Sequence, residues 1–372
     1  PLAIIPFING FVLKKIKLLA EEIVDDLHEN IKVLGGYQSL ITKIESERFQ
    51  SEILHRLQLI FRRNGSLAAD EIKKLKNIVE VFRMRGRKLE IKHAFYPMFN
   101  TLWFLDFYLV ILTEKWKEKN GSFLNGWANA VSEFEVLCSV SGFYFSNPTF
   151  TFPEIKDEPY VIHFEMLGHP LINANKRVCN DFHLLGGGEI TMITGSNMAG
   201  KSTFLRTVGV NLVLALMGAP CCAKSGIVSN MKIFTSMRTQ DNLEEGVSSF
   251  YAELKRIEQL LKLIQSGETI FFLLDEMFKG TNSQDRYKGG VSLIKQLHDL
   301  NAFGIISTHD LELARLAGNH MIVANFSFNS EIKDDEMLFN YTLTEGICRD
   351  FNASELMKRS GIKILSENLF DI

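Results

Sequence analysis

The sequence predicts a chain in two parts, an all-α helical part followed by a mixed α/β part with a mostly parallel sheet. The first observation is helical periodicity, because apolar residues recur at steps of three and four from about Phe11 to Val140. The second is a change near Asn147-Pro148, after which short strand-like runs alternate with helical patterns. Such alternation is typical of parallel strands with helices packed on both faces of the sheet.

The composition is that of a globular chain with enough apolar material for sizeable cores. Of the 372 residues, 46% are hydrophobic and 23% are charged, and the formal net charge is −3. These values exclude a disordered chain and a global basic field for nucleic acid, and leave only local basic patches. One such patch lies at Arg83–Lys92, where the charges fit either a solvated helix end or a surface that contacts phosphates.

Five helical segments are predicted in the first part. The first ends at Gly35-Gly36, and the second, which starts near Leu40, ends at Asn64-Gly65. The others cover Ile72–Phe82, Leu102–Lys119 and Trp127–Val140. Because no repeat of fixed period is present, the pattern favours a helical bundle or lever over a solenoid.

The second part begins with two short strand-like runs, Thr149–Phe152 and Tyr160–Phe164, and ends with an antiparallel pair, Met321–Phe328 and Met337–Leu343. Between them, strands and helices are predicted to alternate. The strands are Glu189–Thr194, Lys232–Met237, Thr269–Leu274 and Phe303–Ser307, and the helices are Ser202–Met217, Ser248–Ile264 and Ser283–Leu300.

The expected domains are a lever-like helical domain over residues 1–147, an α/β domain over 148–350, and a helical tail over 351–372 as a candidate dimer contact. The chain begins at Pro1, so we expect a piece of a longer protein. Five scattered cysteines without paired metal spacing predict reduced thiols in an intracellular, cytoplasmic protein. The apolar opening Pro1–Leu13 is too short to cross a bilayer, and no membrane span is expected in this chain.

The most specific motif is Gly195–Ser202, which fits the phosphate-binding (P-loop) pattern G-x-x-x-x-G-K-[ST] between an apolar strand and an apolar helix. Its glycines let backbone N–H groups face phosphate oxygens, and the helix N-terminus adds positive potential. Lys201 is expected to contact the β- and γ-phosphates of ATP, and Ser202 to ligate Mg²⁺. The nucleotide-binding residues predicted here are Gly195, Ser196, Asn197, Met198, Ala199, Gly200, Lys201, Ser202 and Thr203.

Two further strand ends complete the predicted site. Asp275 and Glu276 follow four apolar residues, and we expect Asp275 to hold Mg²⁺ and Glu276 to act as general base. His309 follows the next predicted strand, where it is expected to contact the γ-phosphate. Lys201, Glu276 and His309 are the predicted catalytic residues. A glutamate directly after the Mg²⁺-binding aspartate points to an ATPase of the ABC class of P-loop proteins.

Several segments together resemble the ATPase domain of the MutS family of DNA mismatch-repair proteins. They are Gly195–Thr203, Asp241–Leu254, Asp275–Asn282 and Ser307–His309, with His169–Ile172 and Asn180-Asp181 as a matching lead-in. The resemblance runs from about Gly168 to Ile362, and the helical part resembles the lever region of that family more loosely.

The resemblance implies a composite ATPase site in a homodimer or a MutS-like heterodimer that acts on DNA. Ser248 and Ser249 would then approach the γ-phosphate bound by the opposite subunit. From the sequence alone, Ser248 also fits a helix N-cap, and both roles are compatible.

Departures from the family pattern keep an alternative open. Ala199 stands where the family usually has Gly, and Ser196 where it usually has Pro. No mismatch-reading segment is recognisable, since the single Phe-x-Glu, at Phe152–Glu154, fits a linker strand. The alternative is a nucleotide-gated module that acts on a protein or membrane-associated partner. A transporter ATPase is disfavoured, because the Leu-Ser-Gly-Gly signature is absent.

Overall fold

The computed structural model describes residues 31–63, 65–83, 100, 103–196, 198–237, 249–278, 280–319, 323–333 and 336–348. The chain forms two compact units that divide between Ser139 and Val140. The domain limits at 147 and 350 remain predictions, and the predicted helical tail over 351–372 lies outside the described residues.

The described part of the first unit is helical apart from one very short hairpin, which the all-α prediction did not include. Its elements are α1 (Ile31–Ser46), α2 (Glu52–Ile60), β1 (Arg62–Arg63), β2 (Ser66–Leu67), α3 (Ala68–Arg83) and α4 (Leu105–Ser146), the last of which continues into the second unit. Apolar side chains from all four helices form one core, with Ile41, Leu57, Leu75 and Trp127 among its buried members.

Two predicted helix ends in this unit are wrong. Gly35-Gly36 lies inside α1, and the break falls at residues 47–51 instead. A glycine costs a helix interior about 1 kcal/mol, and the packing of α1 along α3 offsets that cost. The helices predicted at Leu102–Lys119 and Trp127–Val140 are one continuous helix, α4.

A buried carboxylate explains why α4 does not break at its Asn120-Gly121 step. The Asn120 side chain donates to Glu71 Oε2 at 3.2 Å and to the Trp116 carbonyl at 3.0 Å. Lys74 and Lys119 donate to Glu71 Oε1 at 2.8 and 2.9 Å. Burial alone would raise the pKa of Glu71, but the hydrogen bonds from Lys119, Lys74 and Asn120 outweigh it and lower that pKa to about 2.

Among the described residues, the second unit contains two sheets and four complete helices. Its elements are β3 (Glu154–Lys156), β4 (Val161–Leu167), β5 (Asn180–Leu185), β6 (Ile190–Gly195), α5 (Lys201–Leu216), β7 (Ser225–Ser229), β8 (Lys232–Ser236), α6 (Ser249–Gln265), β9 (Ile270–Asp275), α7 (Ser283–Asp299), β10 (Phe303–Thr308), α8 (Leu311–Asn319), β11 (Val323–Lys333) and β12 (Glu336–Glu345). The larger sheet has the order β12-β11-β6-β10-β9-β8, and the smaller has the order β3-β7-β4-β5.

The six-stranded sheet is parallel except for β12, which confirms the predicted parallel sheet and the antiparallel pair at its end. Every residue of β6, β9 and β10 is buried, as expected for strands covered on both faces. Side chains on one face, such as Ile193 and Leu273, join a core with α5. Those on the other, such as Met192 and Leu274, join a core with α6 and α7.

The four-stranded sheet was only partly predicted. The strand predicted at Thr149–Phe152 is wrong, since this segment forms only an isolated β-bridge, between Thr151 and Cys221. β5 and β7 were not predicted, although β5 alternates between buried and exposed residues throughout. In the part of the chain that the structure describes, no helix combines the length and apolarity needed to cross a bilayer.

Replacing the buried carboxylate should weaken the first unit. We expect Glu71→Gln to lower its free energy of unfolding by about 1–3 kcal/mol at pH 7, because charge-assisted hydrogen bonds are lost. The pKa of Glu71 is lowered from its ordinary value of 4.5, so its ionised form stabilises the fold above about pH 4.5. That contribution is lost as the pH falls toward 2, and the difference between wild type and variant should shrink over the same range.

Tryptophan fluorescence during urea unfolding checks this expectation, because all three tryptophans, Trp103, Trp116 and Trp127, lie in the first unit. The control is Glu47→Gln, which removes an exposed pair with Lys43 and should cost under about 1 kcal/mol. Equal losses in the two variants would contradict the role of the Glu71 network.

Candidate functional site

The register of the central strands brings three chain segments to one edge of the larger sheet. Ser307 of β10 lies level with Ile193 of β6 on one side and with Asp275 of β9 on the other. The strands are parallel, so the three segments that follow them leave at the same edge. Ligands of open α/β sheets bind at this carboxyl edge.

The glycine-rich loop, residues 195–202, connects β6 to α5 as predicted. Gly200 has φ +106°, and a Cβ at that position would lie 3.0 Å from the Tyr341 ring, so the loop requires glycine there for both reasons. Met198 also has a positive φ, of +70°, and its side chain is exposed. The adjoining Asn197 lies outside the described residues.

Lys201 is a buried lysine at the start of α5. Only 4% of the residue is exposed, and its Nζ donates to the carbonyls of Gly195 at 2.8 Å and Ser196 at 3.0 Å. A buried ammonium needs such acceptors, because the charged form loses its hydration. These bonds fix the ammonium inside the curve of the loop, where an anion held by the loop would meet it.

Two adjacent carboxylates at the end of β9 have different surroundings. Asp275 and Glu276 are 8% and 7% exposed. Asp275 Oδ1 accepts a short hydrogen bond from the Ser307 hydroxyl. Glu276 has φ +57°, which turns the chain sharply, and its Oε1 lies 3.5 Å from Nδ1 of His309. The edge therefore holds one carboxylate inside the sheet and one beside a histidine.

The loop opens onto a cavity of about 620 Å³. Lys201, Ser202, Thr203 and Glu276 line one part of it, together with Ser196, Met198 and Gly200. The remaining wall is mostly apolar or aromatic, with basic groups at intervals; it consists of Leu167, His169, Ile172, Lys176, Val178, Asn180, Phe204, Thr207, Phe328 and Tyr341. The volume is in the range of small-molecule sites.

Arg177 anchors the cavity-lining segment 168–179. Its Nε and Nη2 donate to the carbonyl of Ile172 at 3.0 and 2.7 Å, and its guanidinium lies over the ring of Phe150 at 5.5 Å. Burial, followed by the charges of Arg177 and Arg206, lowers the pKa of His169 on the same segment. The cavity wall is thus held by a cation that also disfavours a second charge at His169.

Asn180, another residue of the cavity wall, connects the smaller sheet to β12. Its side chain donates to the Tyr341 carbonyl at 3.1 Å and accepts from the Leu343 amide at 2.7 Å. The Tyr341 ring lies against Phe339, with the two ring centroids 6.0 Å apart. These contacts fix the backbone on which Tyr341 faces the cavity.

Most of the predicted site residues lie at this edge, but not all line the cavity. Glu276 lines the cavity, whereas Asp275 and His309 are not among its lining residues. Ser248 lies outside the described residues, and of Ser249 only the backbone is described, as the first residue of α6. Sequence reasoning missed Lys176, Arg177 and Tyr341, since none belongs to a motif that fixes its position.

The arrangement fits a metal ion held jointly with a ligand. Among the described residues no group of three or more His, Cys, Asp or Glu side chains could hold an ion alone. Mg²⁺ is usually bound by one or two protein oxygens together with phosphates and water. The Asp275 carboxylate at the edge and the Ser202 hydroxyl in the cavity wall are oxygen donors of that kind.

The fold and the site define a mixed α/β domain with a glycine-rich loop and a carboxylate pair at the carboxyl edge of a parallel sheet. The family model for MutS domain V matches residues 191–362, which include both features. By this match, residues 191–362 belong to MutS domain V.

Individual relatives agree with this assignment. MutS protein homolog 4 of Mus musculus is 30% identical over 194 residues, which are 50% of this chain and 20% of the mouse protein. DNA mismatch repair protein MutS of Rickettsia bellii (strain RML369-C) is 31% identical over 238 residues, or 61% of this chain and 26% of the relative. DNA mismatch repair protein MutS of Desulfatibacillum aliphaticivorans is 33% identical over 178 residues, which are 47% of this chain and 20% of the relative. The chain thus matches between 20% and 26% of the length of these relatives.

Weakening the Arg177 anchor should loosen the cavity wall. We expect Arg177→Lys to speed amide hydrogen exchange in residues 168–179 by about tenfold, because a lysine cannot replace the two-pronged donation to Ile172. Exchange followed by mass spectrometry measures this. The matched control is Arg256→Lys, which weakens one exposed bond to the Thr235 carbonyl and should leave the segment unchanged. Unchanged exchange in Arg177→Lys would show that other contacts hold the wall.

Proposed function

We propose that this chain is an ABC-class P-loop ATPase that binds ATP with Mg²⁺ and hydrolyses it to ADP and phosphate, in a protein that serves DNA mismatch repair or DNA-structure binding. The observation that carries the proposal is that buried Lys201 and the buried carboxylates Asp275 and Glu276 lie at one sheet edge, beside the cavity. Water is excluded from buried groups, and the dielectric constant around them is therefore low. A low dielectric constant strengthens the interaction of these charges with a polyphosphate.

The loop and Lys201 suit the phosphate end of the nucleotide. The N-terminus of α5 directs free N–H groups and the positive end of the helix dipole toward the loop. Lys201 is already desolvated and held by two loop carbonyls, so little further ordering is needed when phosphate oxygens approach.

Ser202 and Asp275 are the proposed ligands of Mg²⁺. When bound, the ion supplies charge neutralisation at the phosphate oxygens. The hydrogen bond from Ser307 to Asp275 orients the carboxylate and satisfies one of its oxygens inside the sheet. The other oxygen of Asp275 remains suited to a cation.

Glu276 is the proposed general base. It is buried, it lines the cavity, and its carboxylate accepts the proton of the water that attacks the γ-phosphorus. His309 Nδ1 lies 3.5 Å from Glu276 Oε1, and its proposed roles are to orient that carboxylate and to respond to the γ-phosphate. The bond to the leaving ADP oxygen breaks as the bond to the water oxygen forms.

The remaining cavity wall suits a nucleoside. Tyr341 exposes 44% of its surface beside apolar residues such as Ile172 and Val178. An aromatic ring in such a wall can stack on a base, while the basic Lys176 is available for polar groups of the ligand. This division of the cavity into a charged and an apolar part matches the two halves of ATP.

The assembly and partners in the proposal rest on family membership. Two of the relatives named above are called DNA mismatch repair proteins, and on that ground we infer DNA as a partner and an intracellular, cytoplasmic site of action. We further infer a homodimer or a MutS-like heterodimer, in which Ser248 and Ser249 of one subunit complete the γ-phosphate site of the other. The helical part would then act as a lever, and the tail over 351–372 would contribute to the dimer.

Two substitutions separate binding from hydrolysis. We expect Glu276→Gln to keep ATP affinity while kcat falls about 100-fold or more, because only the base is lost. Lys201→Ala should instead weaken ATP binding, since its charge faces phosphate in both ground and transition states. Fluorescent-nucleotide titration and phosphate release measure the two effects.

Two exposed positions provide matched controls for these substitutions. Glu268→Gln and Lys232→Ala each break the same exposed ion pair, away from the cavity, and should change neither affinity nor kcat. Wild-type turnover in Glu276→Gln would refute its assignment as the base. Full ATP affinity in Lys201→Ala would refute the phosphate site.

Mixing two defective variants tests the composite site. In a heterodimer of Glu276→Gln with a Ser248→Ala/Ser249→Ala variant, one site carries both lesions and the other carries neither. Activity should therefore return on mixing two nearly inactive proteins, as measured by phosphate release against mixing ratio. If heterodimers form and remain inactive, the serines do not act in trans.

A further inference from the structure

The turn that follows β9 is conformationally strained on both sides of Met277. Glu276 has φ +57° and Phe278 has φ +59°. A residue other than glycine in this region costs of the order of 1–3 kcal/mol and persists only where its surroundings enforce it. The turn therefore depends on contacts that hold its two ends.

The sheet holds the first end of the turn. The Glu276 amide donates to the Ser307 carbonyl of β10 at 3.0 Å. This bond continues the pairing between β9 and β10 by one residue beyond Asp275. It fixes the backbone of Glu276 but leaves the direction of the chain after Met277 undetermined.

Helix α6 holds the second end. The Phe278 amide donates to Oε1 of Glu253 at 2.6 Å, across a sequence separation of 25 residues. A carboxylate acceptor makes this bond roughly twice as strong as one between neutral groups. Phe278 is buried, so its amide would otherwise have to find an acceptor away from water.

Packing brings Glu253 and the turn together. The rings of Phe250 and Phe278 meet edge to face with their centroids 6.5 Å apart. At Gly280 a Cβ would lie 2.6 Å from Cβ of Phe250, so glycine permits this close approach of the loop to α6. The contact between α6 and the loop is therefore specific in shape as well as in charge.

We propose that Glu253 is a positioning residue for Glu276: by accepting from the Phe278 amide, it holds the strained turn that aims the Glu276 carboxylate into the cavity. The inference deepens the proposed function and rests on it, because the direction of the Glu276 carboxylate matters only if that carboxylate acts on a bound ligand. Glu253 is not cavity-lining, and its bond to the Phe278 amide connects it to the turn. Its removal should impair the chemical step and leave nucleotide binding intact.

Glu253→Ala tests the proposal. We expect kcat to fall by about 10- to 100-fold, since a displacement near 1 Å has that scale of effect on catalysis. The Kd for ATP should stay within about threefold, because Lys201 and the loop are untouched. Glu253→Gln keeps an acceptor oxygen of the same reach, and should restore kcat to within about fivefold of wild type.

The matched control is Glu258→Ala. This glutamate lies on the same helix, pairs with Lys262 and is exposed, so its loss should change neither kcat nor Kd. Thermal unfolding of all variants establishes that they fold. Hydrogen exchange at the Phe278 amide adds a readout that does not depend on ATP: protection should be lost in Glu253→Ala and kept in Glu258→Ala.

The outcomes separate the inference from the proposed function. Unchanged kcat in Glu253→Ala, or parallel losses of kcat and affinity, overturns the positioning role. Retained Phe278 protection in Glu253→Ala overturns it as well. If wild type does not hydrolyse ATP while Phe278 protection depends on Glu253, the proposed function fails and the support of the turn by Glu253 stands.

Discussion

The register of three parallel strands is the constraint on which the site depends. Ile193, Ser307 and Asp275 occupy one level across β6, β10 and β9. A slip by one residue would turn every side chain of a strand to the opposite face, and all three strands are buried on both faces. The two apolar cores therefore fix the register, and the register fixes which polar residues emerge together at the edge.

The buried charged groups at that edge need hydrogen-bonding partners in the protein before any ligand binds. Lys201 is held by carbonyl oxygens of its own loop, and Asp275 by the hydroxyl of Ser307. Each group thus has a neutral hydrogen-bonding partner. Neutral hydrogen-bonding partners of this kind reduce the free-energy cost of burying a charged group.

Periodicity and motif were sufficient for the parallel sheet, because β6, β9 and β10 are buried runs rich in apolar residues, and each leads into one of the predicted motifs. They were insufficient where a tertiary contact overrides a local signal. A helix was predicted to end at Lys119, yet the next residue, Asn120, is buried against Glu71 and α4 continues through it. Arg177 and Tyr341 belong to no motif, and only the folded chain brings them to the cavity. The trans role of Ser248 remains a prediction, since it depends on a second subunit.

The conformation of Glu276 indicates why a glutamate stands in this turn. A glycine would adopt φ +57° without strain, so a glutamate at this position destabilises the turn by comparison. The side chain is also nearly buried, which disfavours a carboxylate further. What the glutamate supplies and a glycine lacks is a carboxylate in the cavity wall. The backbone of the turn that carries it is bonded to β10 at one end and to Glu253 at the other. A strained, buried and doubly supported acid is the arrangement expected when the position of the carboxylate matters more than the stability of the turn.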